Sequence, residues 1–303
     1  MTKKLISFDD ENPGLGLPDA VTERLDGRYS QVDPTYGLVP RLVYHGTDSS
    51  TPRPDTDGPV IWLGVPMPAH SQPGDVLMRP AGSDSDWAPD WLNLVAWYDA
   101  SNGYTAGSPV TQIHDLSGHE NHLTTLGGTG AITVGTTDLA HPGFRFNGDS
   151  WITSGTLPAG AWRHPTTVYL VANVEDQKVP AQTLIDGTSN STRFALWKTQ
   201  TRLLGMRQTV GVTSGTAAFT AGPHLIAGVF SGDGQSRGEI DGTVVLGPAD
   251  VGTATPSAIR LGASFHDTNG VFGSIGEVII ARDVSPEDHQ QVTDYLMQKW
   301  GIA

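Results

Sequence analysis

From Trp91 to the C-terminus the chain is a series of short β-forming runs cut by turn residues, and no other feature restricts the fold as much. The candidate strands are Leu94–Tyr98, Thr111–His114, His122–Thr125, Phe144–Phe146, Thr166–Val174, Thr183–Asp186 and Phe194–Lys198. The series continues with Leu203–Arg207, His224–Phe230, Arg237–Ile240, Thr243–Leu246, Ala258–Gly262 and Ser274–Ala281. Many short strands at this spacing make an all-β sandwich or barrel, because each half-buried run needs a second sheet to cover it. The 37 glycines and 21 prolines supply the turns, and charged residues make up only 17% of the chain. Asp241-Gly242, between two of these runs, predicts a two-residue hairpin, since a type I′ turn needs positive φ at both positions.

One clear helix closes the chain. Ser285 stands at its N-cap and Pro286 at N1, and Glu287 and Asp288 put negative charge on the positive end of the dipole. Val292, Tyr295, Leu296 and Trp300 share one face, and Gly301 suits the C′ position. That face is expected to dock on the sandwich.

Before residue 87 the pattern differs, and more than half of the prolines lie before residue 91. Leu17 to Tyr29 reads as a short helix capped by Asp19, with Val21, Leu25 and Tyr29 as its apolar stripe. Arg41–Tyr44, Pro59–Val65 and Val76–Met78 read as strands, and Gly82–Asp86 as a linker. So few strands bury little surface by themselves. The expected division is therefore 1–86, an N-terminal attachment and oligomerisation region, and 87–303, the sandwich.

Charge and cysteine content exclude several classes. The formal net charge is −14, with 13 acidic and 7 basic residues over 1–86 and 19 and 11 over 87–303, together the 32 and 18 of the whole chain. Neither part is a basic arm for nucleic acid or an anionic membrane. With no cysteine, disulfide frameworks, thiolate zinc sites and cysteine nucleophiles are excluded. Lys3 and Lys4 are followed by no apolar h-region, and no apolar run is long enough to span a membrane. The expectation is a chain without a signal peptide.

The runs Leu94–Ala100 and Val110–Leu123, the latter containing Asp115-Leu116-Ser117-Gly118-His119-Glu120-Asn121-His122, resemble the opening of a laminin-G-like/concanavalin-A-like jelly roll. Phe144–Ile152 resembles that family's strand pair, Glu239–Val245 its hairpin, and Ile275–Ile280 with the final helix its terminal strand and helix in phage and bacterial members. The resemblance implies an antiparallel two-sheet jelly-roll sandwich with one C-terminal helix, preceded by a small helix-plus-β attachment region. Gly58–Gly64 with Gln72–Val76 is similar to a module repeated in tail and fibre proteins of phages infecting actinobacteria, and Leu17–Tyr29 to their attachment helix. This second likeness implies a virion protein assembled in the host cytoplasm, a minor tail protein or tail fibre, as a homotrimer. Its residues 1–86 would meet other virion proteins, and its jelly roll would be displayed towards a host-surface glycan. Nucleic acid and membrane are not expected partners. The alternatives are a capsid decoration protein and a glycan-degrading enzyme on the same sandwich.

Glu239-Ile240-Asp241 is the sharpest hint of catalysis. Family-sixteen glycoside hydrolases share this fold and carry three carboxylates alternating along one strand, which places acid and nucleophile in one cleft. Here Thr243 and Val244 stand where the third would be and Gly242 turns the chain, so the hairpin accounts for the residues and no catalytic residue is expected. His114, His119 and His122 near Asp115 and Glu120 admit a zinc reading. A strand connection explains them as well, with Asp115 and Asn121 satisfying backbone groups and Gly118 supplying an unusual φ. His119 and His122 lie three apart, where the zincin helix needs four. No cofactor is expected. Calcium stays open, since hard cations take loop oxygens and Asp99, Asp149, Asp186 and Asp267 lie on loops. Sugar binding needs aromatic faces with polar groups at their edges. Trp151, Trp162 and Trp197 are the candidate faces, with Arg193 and Asp267 as polar partners and Asn190 and Gln208 nearby. Trp97 and Trp300 are assigned to core and helix docking.

Overall fold

The computed structural model describes residues 6–7, 42–44, 60–63, 76–78 and 92–302, apart from 136–137, 177–178 and 217. Two compact units emerge, Met1–Trp91 and Leu92–Ala303. In the first, β1 (Ile6–Ser7), β2 (Leu42–Tyr44), β3 (Val60–Leu63) and β4 (Val76–Met78) form one sheet in that order. β1 runs antiparallel to β2, while β2, β3 and β4 are parallel to one another. The helix expected over Leu17–Tyr29 and the linker expected over Gly82–Asp86 lie outside the described residues.

The second unit begins with β5 (Asn93–Asp99), β6 (Leu123–Gly128), β7 (Thr133–Gly135), β8 (Gly143–Asn147) and β9 (Ser150–Ser154). Next come β10 (Thr166–Val174), β11 (Ala181–Asp186), β12 (Ala195–Thr199), β13 (Leu204–Arg207) and β14 (Gly211–Thr213). The last are β15 (Pro223–Phe230), β16 (Ser236–Ile240), β17 (Thr243–Ala249), β18 (Arg260–Leu261), β19 (Phe272–Arg282) and the helix α1 (Pro286–Trp300). These strands make two antiparallel sheets. One has the order β17-β16-β15-β10-β19-β8-β7, and β5 pairs with β19 end to end with β8 along the same edge. The other has the order β14-β13-β12-β11-β18-β9-β6.

Their inner faces share one core. Val168, Leu170 and Ala172 of β10 and Ile275, Val278 and Ile280 of β19 meet Ile152, Ile185, Leu196, Leu204 and Leu261 of the other sheet. The unit is thus an all-β, two-sheet antiparallel sandwich with one C-terminal helix.

The central strands of the first sheet do not alternate between buried and exposed. β10 and β19 are buried nearly throughout, because α1 covers their outer face and the core takes the inner one. α1 starts where its sequence predicts. The Ser285 side chain accepts from Asp288 N, Pro286 follows, and Gly301 closes the helix in the left-handed region at φ 62°. Val292, Leu296 and Trp300 are buried, and the Trp300 ring lies where a side chain on Gly276 would be.

Thr111–His114 differs from its expectation as a strand. Only Ile113 pairs, with Leu123, and the His114 N–H goes to the Tyr104 hydroxyl instead of a ladder partner. β7 and β14 escape the sequence pattern because three residues carry no periodicity.

Candidate functional site

The outer faces of the two sheets differ in kind. Under α1 the outer face holds closed polar groups. Glu277 is fully buried and accepts from Trp97 Nε1 (2.8 Å), Trp300 Nε1 (2.8 Å) and Lys299 Nζ (2.7 Å). Lys299 also donates to Asp99 at 2.7 Å. Burial pushes the Glu277 carboxyl above its usual range, and Lys299 opposes this. The same carboxylates more than offset desolvation of the Lys299 ammonium, holding its pKa above the ordinary lysine value. Alongside, Glu239 contacts His289 Nε2 at 2.8 Å and accepts from Arg237 Nε at 2.8 Å, and Tyr169 meets His289 Nδ1 at 2.8 Å.

The candidate carboxylate triplet is therefore closed off. Glu239 is 4% exposed beneath the helix, whereas a glycosidase pair needs an open groove. Asp241 (φ 51°) and Gly242 (φ 72°) make the type I′ turn, and Asp241 accepts from Leu225 N and His224 Nδ1.

The histidine segment is a strand connection. Asp115 accepts four hydrogen bonds, from Trp97 N, Ser117 N, Ser117 Oγ and Asn121 N. His122 Nδ1 accepts from Asp115 N, and Asn121 donates to Val95 O. Among the described residues no group of three His, Asp or Glu is placed to hold a metal ion. Of the loop acids, Asp99 is tied to Lys299 and Ser101, Asp149 to Thr129, Asp186 to Arg193 and Asp267 to Arg260.

Among the described residues no helix lies over the second sheet, and four of the five candidate binding residues gather on its outer face and rim. Directly paired residues of antiparallel strands share a face, so the register places them. Thr153 pairs with Arg260 and Arg260 with Asp186, which carries Trp151, two residues from Thr153, to the same side. Trp197 pairs with Gly205, on the face opposite the core residue Leu196. Both indoles lie over glycine backbone. A Cβ on Gly127 would sit 1.9 Å from the Trp151 ring, and one on Gly205 would sit 1.9 Å from the Trp197 ring. A missing side chain lets an aromatic ring cross the strand and stiffen the sheet while its other face points outward.

The two rings are not equivalent. The Arg260 guanidinium stands over Trp151 at 4.0 Å, held there by Ser264 O and Asp267. Among the described residues no ring or cation stacks on Trp197. Between them Arg193 donates twice to the fully buried Asp186, at 3.2 and 2.6 Å, and stands 4.4 Å from the Phe265 ring. Three strand steps separate β12 from β9, roughly 14 Å between the strands that carry the indoles, and the rings lie farther apart still because they cross outward over β13 and β6. Trp162 is elsewhere. It is 5% exposed in the core, with its ring 4.3 Å from Phe194.

Sequence reasoning missed Arg207 and Arg260 on this face. Arg207 alternates with Gly205 along β13, and a Cβ on Gly211 would touch both the Trp197 ring, at 3.6 Å, and Arg207 Cδ, at 3.7 Å. The available signal was the pattern Gly205-x-Arg207 opposite a tryptophan strand, which has meaning only once the register is known.

No protein-family model matches the sequence, and none of the curated proteins does. Among solved structures, domain 4 of AbnA, an extracellular GH43 arabinanase from Geobacillus stearothermophilus in complex with arabinotriose, is similar with a TM-score of 0.50 and 18% identity. The match covers 67% of this chain and 98% of that domain. The sandwich is a shared fold. The binding domain of botulinum neurotoxin DC in complex with SialylT matches with a TM-score of 0.49 and 9% identity, over 67% of this chain and 52% of that one. Trypanosoma rangeli sialidase with the inhibitor DANA matches at 0.45 and 11%, over 66% and 32%. The chain thus spans about half of the toxin binding domain and a third of the sialidase.

Proposed function

We propose that this chain is a non-enzymatic glycan-binding protein whose open sheet, centred on Trp197, receives the sugar. The observation that carries the reading is the Trp197 indole, laid flat over Gly205 with no ring or cation stacked on it among the described residues. A flat apolar ring edged by polar side chains suits the apolar face of a pyranose and its hydroxyls. The solved complex of the similar arabinanase domain with arabinotriose is consistent with a sugar ligand on this fold.

The finer part of the reading is a phage minor tail or tail-fibre component, supported by the likeness of Leu17–Tyr29, Gly58–Gly64 and Gln72–Val76 to such proteins. Residues 1–86 are assigned to attachment and trimer formation, and three displayed copies would raise a weak single-site affinity. The reading calls on no metal or cofactor.

The site is tested on a glycan array with the full chain and Trp197→Ala. Binding by the parent and a loss of about tenfold in the variant, the worth of one stacked ring, are expected. A variant that binds like its parent refutes the site. The tail assignment is tested by protein analysis of purified particles, and a chain abundant in infected lysate but absent from particles refutes it.

A further inference from the structure

We infer that the Trp197 site takes an acidic sugar, with Arg207 receiving its carboxylate. The inference rests on the glycan-binding reading and narrows the ligand class.

It starts from charge accounting. In a chain of net charge −14, cations find acceptors easily. Arg145 pairs with Asp138, Arg163 with Asp283, Arg193 with Asp186, Arg202 and Lys198 with Asp176, Arg237 with Glu239, Arg260 with Asp267, and Lys299 with Asp99 and Glu277. Arg282 donates to Gly160 O and Asn93 Oδ1. Among the described residues Arg207 is the one arginine or lysine with no hydrogen-bond or ion-pair partner, and its Nε is shielded from water without an acceptor. Arg260 and Arg282 have an equally shielded Nε but spend their terminal nitrogens on protein acceptors, so what sets Arg207 apart is that its terminal nitrogens meet none among the described residues and are left for an anion.

Its place supplies the ligand class. Arg207 and Trp197 flank Gly211 on the same outer face, beside the edge strand β14. The glycines at 205 and 211 leave the surface between them bare, so a pyranose can lie on the indole with a ring substituent reaching the guanidinium. The planar fork of arginine matches a planar carboxylate with two parallel hydrogen bonds. A neutral sugar leaves that fork unfilled. Trp151 does not offer the same site, because Arg260 already stands over its ring and is itself paired with Asp267.

The test uses the full chain on an array of oligosaccharides bearing uronic or sialic acids, each printed beside its carboxyl-methyl ester, with neutral and sulfated glycans alongside. The parent is expected to prefer at least one acid over its ester by about tenfold. Arg207→Gln should remove that preference while keeping the affinity for the ester, and Trp197→Ala should lower both. Arg207→Lys, which keeps the charge and loses the fork, should fall between. A parent that binds acid and ester equally, or sulfated glycans alone, overturns the inference and leaves glycan binding standing. A parent that binds nothing overturns both. Circular dichroism of each variant separates lost binding from lost folding. If Arg207→Gln folds and keeps the acid preference, Arg207 is not the receiving group.

Discussion

Lys299→Met isolates what the polar layer under α1 contributes. In the native protein Lys299 Nζ lies 2.7 Å from both Asp99 and Glu277, with its own side chain 11% exposed and theirs 7% and 0%. Methionine keeps most of the stem volume but leaves two buried carboxylates facing each other without a cation. Removing one partner of a buried pair costs about 3–5 kcal/mol, because the remaining charge stays desolvated. Glu277 retains its two indole donors, so the lower half of that range, about 3 kcal/mol, is expected near neutral pH. The loss must depend on pH. Burial already raises the Glu277 carboxyl and Lys299 opposes it, so without Lys299 the group rises further. The native variant then binds a proton that the unfolded chain has released, and its stability falls as pH increases through that window. Urea unfolding of parent and variant should show a deficit of about 3 kcal/mol at roughly pH 8 that shrinks towards roughly pH 5. The lost charge in the last helical turn adds only about 0.3–1 kcal/mol, without this pH dependence. A deficit below about 1 kcal/mol at roughly pH 8, or one equal at both pH values, refutes the reasoning.

Three other outcomes follow from particular contacts. Gly205→Ala puts a methyl group 1.9 Å from the Trp197 ring and should displace it, weakening glycan binding about tenfold, while Gly211→Ala leaves the ring in place but sets a methyl group between it and Arg207, so it should lower the affinity for the acid and spare that for the ester. Calorimetric titration of the two variants distinguishes them, and equal effects refute the placement of the ring. At His224 burial lowers the pKa, but the hydrogen bond and charge of Asp241 prevail and raise it above 6.5. A raised histidine stabilises fully below 6.5 and loses that contribution as pH climbs through its folded value, so the melting temperature should fall across that window and His224→Asn should flatten the fall. Asp115→Ala removes the acceptor of four hydrogen bonds, three of them from the backbone of Trp97, Ser117 and Asn121, and should lower stability by about 3–5 kcal/mol in urea unfolding.

Local chemistry was the legible part of this fold. The final helix could be read almost residue by residue, since its cap, proline and glycine act within four positions of one another. Thr166–Val174 was legible as a whole strand, and Asp241-Gly242 as a turn. What lay hidden was pairing across the chain. Glu277 interrupts an otherwise apolar strand, and an acid in such a run implies a buried cation, yet nothing local says that the partner is Lys299 on the helix. The fate of Glu239 was hidden in the same way. Its strand places it opposite Ile240, and only the docking of α1 turns that outer face into an interior one.

The same limit explains why three tryptophans looked alike. Trp151, Trp162 and Trp197 are each followed by a polar residue within two positions, and composition does not separate them. The difference is what lies opposite. Trp151 faces Gly127 and Trp197 faces Gly205, so each ring can cross the neighbouring strand and keep one face outward. Trp162 has Phe194 and Phe230 against it and is enclosed. A second distinction then divides the outward pair, because Arg260 stands over Trp151 and is tied to Asp267, whereas Arg207 beside Trp197 has no acid among the described residues. A cross-strand glycine exposes a ring, and an unpaired cation beside it gives the ring a chemical preference. Both are properties of register, and a one-residue slip of β13 against β12 would put Leu204 or Met206 where Gly205 lies and take the face away.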